Sequence, residues 1–263
     1  MDTSFLAGWS ESFLMPETHV ITCGISLLTN TVRTIGPSSP IREEKLRALS
    51  NPRTLPEALS SLSAREREVL ESEMLSLLRE DPKKASAELN AFLSYLEEYP
   101  TEVKDVHLIV SDTDAGKLTA TILDRYLTES GYNVSKYVVK GFGSENFQEA
   151  LKELRDVVKS VADRSRNVVL NLTGGFKAEI AALSVLATES DLKAYYIHEA
   201  ARRVVVLPTA SQLKVRVTKW EKILAVLTVI LSFPMDSLLG APLFIIPEIA
   251  ILVSALWIIL RKA

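Results

Sequence analysis

The amino-acid sequence predicts an α/β protein: a doubly wound, mostly parallel sheet that ends in a β-hairpin and carries an appended hydrophobic helical tail. Three observations lead there. Short β-branched, apolar runs alternate with helical patterns between residues 19 and 198, and such alternation gives parallel strands joined by right-handed crossover helices. The last two runs, residues 192–198 and 203–207, are separated only by a short turn through Glu199, Ala200 and Ala201, which implies a hairpin. Finally, residues 223–260 hold just two charged side chains, Asp236 and Glu248, whereas the preceding part reads as an ordinary soluble protein.

The totals set bounds on function. A chain of 263 residues with 47% hydrophobic content can bury a substantial core in one large or two small domains. A formal net charge of −3 supplies no global basic field, so long nucleic acid is not expected as a partner and any anion must be held by local geometry. The single cysteine, Cys23, excludes an internal disulfide and a multi-cysteine zinc site. His19, His107 and His198 are scattered without ligand spacing, so neither a metal centre nor a cofactor is expected.

Residues 1–17 carry Asp2, Glu11 and Glu17 and lack a basic start, which argues for a short leader rather than a signal peptide. The first strand, residues 19–24, ends at Gly24, Ile25 and Ser26 in a turn that opens a helix. A glycine at a strand end followed by serine is how a nucleotide-type βα turn begins, although the full G-x-G-x-x-G fingerprint is absent. Residues 41–99 are rich in Leu, Ala, Glu and Arg at helical spacing and read as two or three helices forming an insertion that covers the sheet. In the last of these helices Asp81 is placed to cap, Pro82 suits the first turn, and Ala85, Leu89, Phe92, Leu93 and Leu96 make one apolar stripe. The charge run from Arg65 to Glu68 reads as a solvated face.

Residues 105–111 form a second buried strand, running into Asp112, Thr113, Asp114, Ala115, Gly116 and Lys117. This is not a P-loop, because Ser111 stands where the first glycine belongs and Leu118 where Ser or Thr belongs. It reads as a helix start capped by Thr113 or Asp114, or as a second polar lip of a ligand cleft. A third strand over 132–139 leads through a glycine-containing loop, 141–144, to a helix from 147 to about 161.

The fourth strand, residues 166–172, delivers the stretch Asn171, Leu172, Thr173, Gly174, Gly175, Phe176 and Lys177 to the start of another helix. Glycines there let backbone N–H groups approach a ligand, and a helix start offers them to an anion with a favourable dipole. Lys177 adds a positive charge beside it. In a doubly wound order the first and fourth strands lie side by side where the chain direction reverses, and the cleft opens at their carboxyl ends. Gly24, Ile25 and Ser26 are therefore expected beside Thr173, Gly174, Gly175, Phe176 and Lys177.

The tail is too long for one crossing. As a helix 38 residues would span about 57 Å against an apolar layer of about 30 Å. Two crossings, 223–239 and 243–260 with Gly240, Ala241 and Pro242 between, fit better. Lys219 and Lys222 before them and Arg261 and Lys262 after them place both ends in the cytoplasm by the positive-inside rule. A helical hairpin buried on the soluble domain or on a dimer partner, and a single span from Leu243, are the alternatives. Glu248 is then an ionisable residue inside an apolar run, a position that usually faces a bundle interior or a water path.

Four motifs in order, Gly24 to Asn30, Ser111 to Gly116, Asn171 to Lys177, and His198-Glu199 shortly before Leu207-Pro208, resemble the CRISPR-associated Rossmann-fold (CARF) family, specifically its crenarchaeal-type ring nuclease branch. The resemblance covers about residues 18–215, including the helical insertion at about 41–100, and the tail at 216–263 is not part of the pattern. The tail looks like that of membrane-attached members of the wider family. The resemblance implies a Rossmann-like fold, a homodimer whose two clefts together bind cyclic tetra-adenylate, and metal-independent cleavage by attack of a ribose 2′-hydroxyl on the adjacent phosphate. Ser26 matches the family's positioning serine and Lys177 its charge-stabilising lysine. Gly24, Ile25, Ser111, Asp112, Thr113, Gly116, Thr173, Gly174, Gly175 and Phe176 would line the ligand. Three functions are thus expected to compete: a membrane-tethered ring nuclease, a ring-gated membrane effector without significant cleavage, and a soluble nucleotide-binding dimer with a buried hydrophobic hairpin.

Overall fold

A computed structural model of the chain describes residues 16–141, 147–175, 177–198, 203–209 and 211. The chain divides into two compact units, Met1–Leu213 and Lys214–Ala263, and the described residues all belong to the first. The tail at 223–260 with Glu248, the leader up to residue 15, and the hairpin turn at 199–201 lie outside the described residues. Among the described residues no helix is long and apolar enough to cross a membrane.

Six strands make one sheet: β1 (Glu17–Cys23), β2 (Val103–Ser111), β3 (Asn133–Val139), β4 (Val168–Asn171), β5 (Lys193–His198) and β6 (Arg203–Leu207). Their spatial order is β3-β2-β1-β4-β5-β6. The first five run parallel, with Ile21 of β1 opposite Leu108 of β2 on one side and Asn171 of β4 on the other. β5 and β6 pair antiparallel, Ile197 facing Val204. All six strands predicted from the sequence are present, and β1 and β4 are neighbours as the doubly wound order requires. The architecture is an α/β, Rossmann-like one.

Central strands of this kind are covered on both faces, so their side chains are apolar on both and alternate only in which layer they enter. One layer receives Val20, Ile109, Leu170 and Leu172, packed on Leu154, Val158 and Val161 of α8 (Phe147–Arg164) and Leu183, Leu186 and Ala187 of α9 (Lys177–Glu189). The other receives Ile21, Val106, Leu108 and Val110, packed on Leu27, Leu28 and Val32 of α1 (Ser26–Thr34) and on Leu118, Ile122 and Leu123 of α7 (Asp114–Glu129). Each such fully buried side chain contributes roughly 1.5–3 kcal/mol.

The insertion corrects the sequence reading. In place of two or three helices there are five: α2 (Glu43–Ser50), α3 (Leu55–Ser60), α4 (Ala64–Glu80), α5 (Pro82–Ala85) and α6 (Ala87–Glu98). The single striped helix expected after Asp81 is broken at Ser86. Asp81 caps α5 as expected, accepting from the Lys84 N–H at 3.1 Å. Ser86 then adopts an extended conformation and caps α6, its hydroxyl accepting from the Leu89 N–H at 3.3 Å. The Arg65–Glu68 run is likewise more than a solvated face. Glu66 closes a capping box on Ser63 and receives Lys45 at 2.6 Å. The Lys45 hydrogen bond, with those from Ser63, pulls the Glu66 carboxyl down to about 2.

Candidate anion crevice at the β1–β4 switch point

The carboxyl ends of β1 and β4 bring two distant turns together. A Cβ added at Gly24 would lie 3.0 Å from the Gly175 backbone nitrogen and 3.8 Å from the Gly174 Cα. Thr22, at the end of β1, clamps the second turn: its hydroxyl donates to the Gly174 carbonyl at 2.5 Å and more weakly to that of Asn171 at 3.4 Å. The Asn171 side-chain oxygen accepts from the Thr173 N–H at 3.1 Å, and the Thr173 hydroxyl accepts from the Ile197 N–H at 3.2 Å. Gly175 turns the chain with φ of 94°, a left-handed conformation that costs glycine nothing and other residues strain. Gly24 therefore meets Gly174 and Gly175, as the doubly wound order predicts, with Ile25 and Ser26 leading from it into α1 and Lys177 opening α9 two residues beyond Gly175. Phe176 and the side chain of Lys177 lie outside what the structure describes.

A third element, absent from the sequence reading, completes the site. The first turn of α6 docks on the crevice: the Ala87 N–H donates to the Ser26 hydroxyl oxygen at 3.0 Å, and the Asn171 side-chain amide donates to the Glu88 carbonyl at 2.9 Å. Helix starts from α1, α6 and α9 thus gather at one sheet edge. Each brings the positive end of a helix dipole to that edge.

The Glu88 side chain enters that focus and is 1% exposed. One carboxyl oxygen accepts from the Gly24 N–H at 2.8 Å. The other accepts from the hydroxyls of Ser26 at 2.7 Å and Ser86 at 2.6 Å. Among the described residues no cation pairs with it. Ser26 is consequently engaged on both sides, donating to Glu88 and accepting from Ala87. A second buried acid, Glu179 in the first turn of α9, lies against the other glycine, its carboxyl oxygen 2.6 Å from where a Gly175 Cβ would stand. Cys23, buried beside this pair, has its thiol held well above the ordinary range by burial first and then by Glu88 and Glu179, so it stays protonated.

Glu88 and Ser86 carry no sequence signal of such a role. A glutamate two residues after a serine cap is an ordinary first-turn acid, and only the docking of α6 gives it meaning. The predicted second lip lies one strand over, at the end of β2. There Ser111 and Thr113 hydrogen-bond each other at 2.9 Å, Thr113 caps α7 by accepting from the Gly116 N–H at 3.1 Å, and Gly116 is required because a Cβ would collide with Ser111. Asp112 is half-buried beside them. Ser111, Thr113 and Gly116 share the sheet edge with the crevice and hydrogen-bond among themselves. Among the described residues no group of three or more His, Cys, Asp or Glu side chains could hold a metal ion.

The opposite edge of the sheet holds a separate polar cluster. Glu17 accepts from Lys193 at 2.9 Å, from the Tyr95 hydroxyl at 3.1 Å and from the His19 Nε2 at 3.2 Å, while His19 Nδ1 meets the Tyr195 hydroxyl at 3.3 Å. Burial lowers the His19 pKa against the pull of Glu17. The ring is therefore neutral, its Nε2–H donating to Glu17 and its Nδ1 accepting from Tyr195. Burial would raise Glu17, but His19 and Lys193 hold it below the ordinary carboxyl value. Burial also pushes the Tyr95 hydroxyl up to about 12.

Fold and crevice together define the class: an α/β, Rossmann-like module with a glycine-lined crevice at its topological switch point. Residues 83–210 match a family described as CRISPR-associated protein (Cas_APE2256). Over that stretch, from α5 through β6, the chain carries the sequence pattern of a CRISPR-associated family. The match takes in Glu88, the Ser111–Gly116 turn and the Asn171–Lys177 turn.

Proposed function

We propose that this protein binds cyclic tetra-adenylate in the β1–β4 crevice and cleaves it without a metal, acting as a homodimer anchored to the membrane by residues 223–260 with the Rossmann-like domain in the cytoplasm. The observation that carries the reading is the meeting of the Gly24 and Gly174-Gly175 turns beneath three helix starts. Such a focus of N–H groups and helix dipoles suits phosphodiester oxygens, and a two-fold ring suits two copies of one crevice related by two-fold symmetry. The CRISPR-associated match supports the same reading from a different side.

In the cleavage step the ribose 2′-oxygen attacks the adjacent phosphorus in line, forming a 2′,3′-cyclic phosphate. The bond to the 5′-oxygen breaks, and the proton lost by the 2′-hydroxyl is balanced by the one the 5′-oxygen gains. Catalysis then consists of holding that geometry and offsetting the charge that develops on the phosphoryl oxygens. Lys177 is assigned the second task. Ser26 and the turn amides are assigned the first, with Ser111, Asp112, Thr113 and Gly116 forming the outer lip. Incubating the full-length protein with labelled ring in EDTA should yield linear di-adenylate products, and Lys177→Ala should slow cleavage at least a hundredfold. A Lys177→Ala protein that cuts at the parental rate would remove the assignment.

A second reading, a ring-gated membrane effector without significant cleavage, is favoured by one observation. The Ser26 hydroxyl already donates its one proton to Glu88, while accepting from Ala87, so it has none to donate to a phosphate. Ring-dependent membrane depolarisation by a protein that leaves the ring intact would decide for it.

A further inference from the structure

The glycines that a phosphate would need are in this structure filled by the protein itself. A Cβ on Gly24 would stand 2.9 Å from a Glu88 carboxyl oxygen, and one on Gly174 would collide with the Glu88 side chain outright. The groups holding that carboxyl are those that suit a phosphodiester oxygen: the Gly24 N–H and the hydroxyls of Ser26 and Ser86. All three are neutral donors. A carboxylate and a phosphate oxygen use such donors interchangeably, and both are drawn to helix starts.

We infer that Glu88 is an internal anion occupying the ligand's phosphate position, and that a phosphodiester enters the crevice only as the Glu88 carboxylate leaves it. The inference deepens the proposed function and rests on it, since the competing anion is taken to be a linkage of the adenylate ring. Three features of the fold suit an exchange of this kind. Glu88 lies in the first turn of α6, immediately after the break at Ser86, so its side chain can withdraw by rotation at the end of a helix rather than in its middle. The described groups that hold it, the Gly24 N–H and the Ser26 and Ser86 hydroxyls, are neutral, so among the described residues its departure leaves no ion pair broken. The turn keeps one tie independent of the carboxyl, from the Asn171 amide to the Glu88 backbone carbonyl, and that tie can persist while the side chain moves. Displacing Glu88 also frees the Ser26 hydroxyl proton, which in the present arrangement is donated to Glu88 and is not available to a phosphate oxygen. Ring binding and the arming of Ser26 become one event. Because Ser86 and Glu88 belong to the helical insertion, that event also reports the ring to the insertion.

The test is ring affinity of the full-length protein and of Glu88→Gln, measured by calorimetry with a non-cleavable, 2′-deoxy cyclic tetra-adenylate. Glutamine keeps the size and one acceptor for the Gly24 N–H, and the two serine hydroxyls can rotate to accept from its amide, but the like charge is gone. Glu88→Gln should bind at least about tenfold tighter, the modest end of what relieving one like-charge pair at a partly buried site delivers. Equal affinity in the two proteins overturns the inference and leaves the proposed function standing. Parental affinity combined with slower cutting of the cleavable ring also overturns it, making Glu88 a positioning residue for Ser26. Binding by neither protein overturns the proposed function and the inference together. Should Glu88→Gln fold poorly, Glu88→Asp, one methylene too short to span Gly24 and Ser26, serves in its place. The ring should then raise its melting temperature by more than it raises that of the parent, because stabilisation by a ligand grows with affinity.

Discussion

Helix α6 sends a polar side chain to each edge of the sheet, Glu88 to the carboxyl edge and Tyr95 to the amino edge, and different chemistry receives them. At the amino edge Glu17 meets a cation, Lys193, together with the Tyr95 hydroxyl and the neutral His19 ring; burial lowers His19 and works to raise Glu17, and His19 and Lys193 hold Glu17 below its ordinary value. At the carboxyl edge the partners of the buried Glu88 carboxyl among the described residues are neutral donors beside the helix starts. A buried acid paired with its own cation is a finished piece of structure. One held by the donors of an anion crevice occupies a place that a ligand can take, and the difference separates the part of the molecule that holds the fold from the part assigned to bind.

The sharpest way to break the contrast is to fill the crevice. Gly174→Ala puts a methyl group into Glu88 and the Thr22 carbonyl and should cost about 3 kcal/mol, with ring binding abolished in whatever folds. Gly36→Ala, where a Cβ meets nothing within 4 Å, should leave stability within about 0.5 kcal/mol and binding intact. Denaturant melts and calorimetry on the pair check both halves. Next in size, Lys193→Met takes the cation from Glu17. Because the Lys193 side chain is 42% exposed, the loss should be about 1–2 kcal/mol rather than that of a fully buried pair, and ring affinity should not change.

Acid sharpens the contrast at the amino edge. The folded state keeps His19 neutral where an unfolded histidine, with its ordinary value of 6.5, takes up a proton, so the unfolded state binds more protons as the pH falls below that value. Stability therefore drops on acidification from about pH 6.5, and drops again as the unfolded chain's Glu17 protonates near 4.5 while the folded one resists. Melts from pH 8 to 4 should show both declines, and His19→Gln should reduce the first, leaving the part due to His107, whose pKa burial also lowers. The smallest effect belongs to a site at neither edge. Ser63→Ala removes the capping box of α4 and should cost about 0.5–1 kcal/mol with no change in ring binding.

The strands were legible because burial on both faces makes them short, apolar and β-branched, and the order of strands and helices alone placed β1 beside β4. Gly24 and Gly174 were legible as backbone that must approach something closely. What they approach was not, since Glu88 is one acid among many in a helix-rich insertion and acquires its partners only when α6 docks. The number of helices in that insertion was misjudged for a local reason. Ser63 with Glu66 spells a capping box, and Ser86 stands just after Pro82, but an apolar stripe that continues across a cap hides the break.

The central claim is that the Gly24 and Gly174-Gly175 turns are where the ring sits. Hydrogen exchange of the full-length protein with and without non-cleavable cyclic tetra-adenylate tests it directly. The account predicts ring-dependent protection concentrated in residues 24–28 and 173–178, with α6 around residues 86–89 changing alongside them. Ring binding that protects other segments and leaves both turns exchanging as before would contradict it.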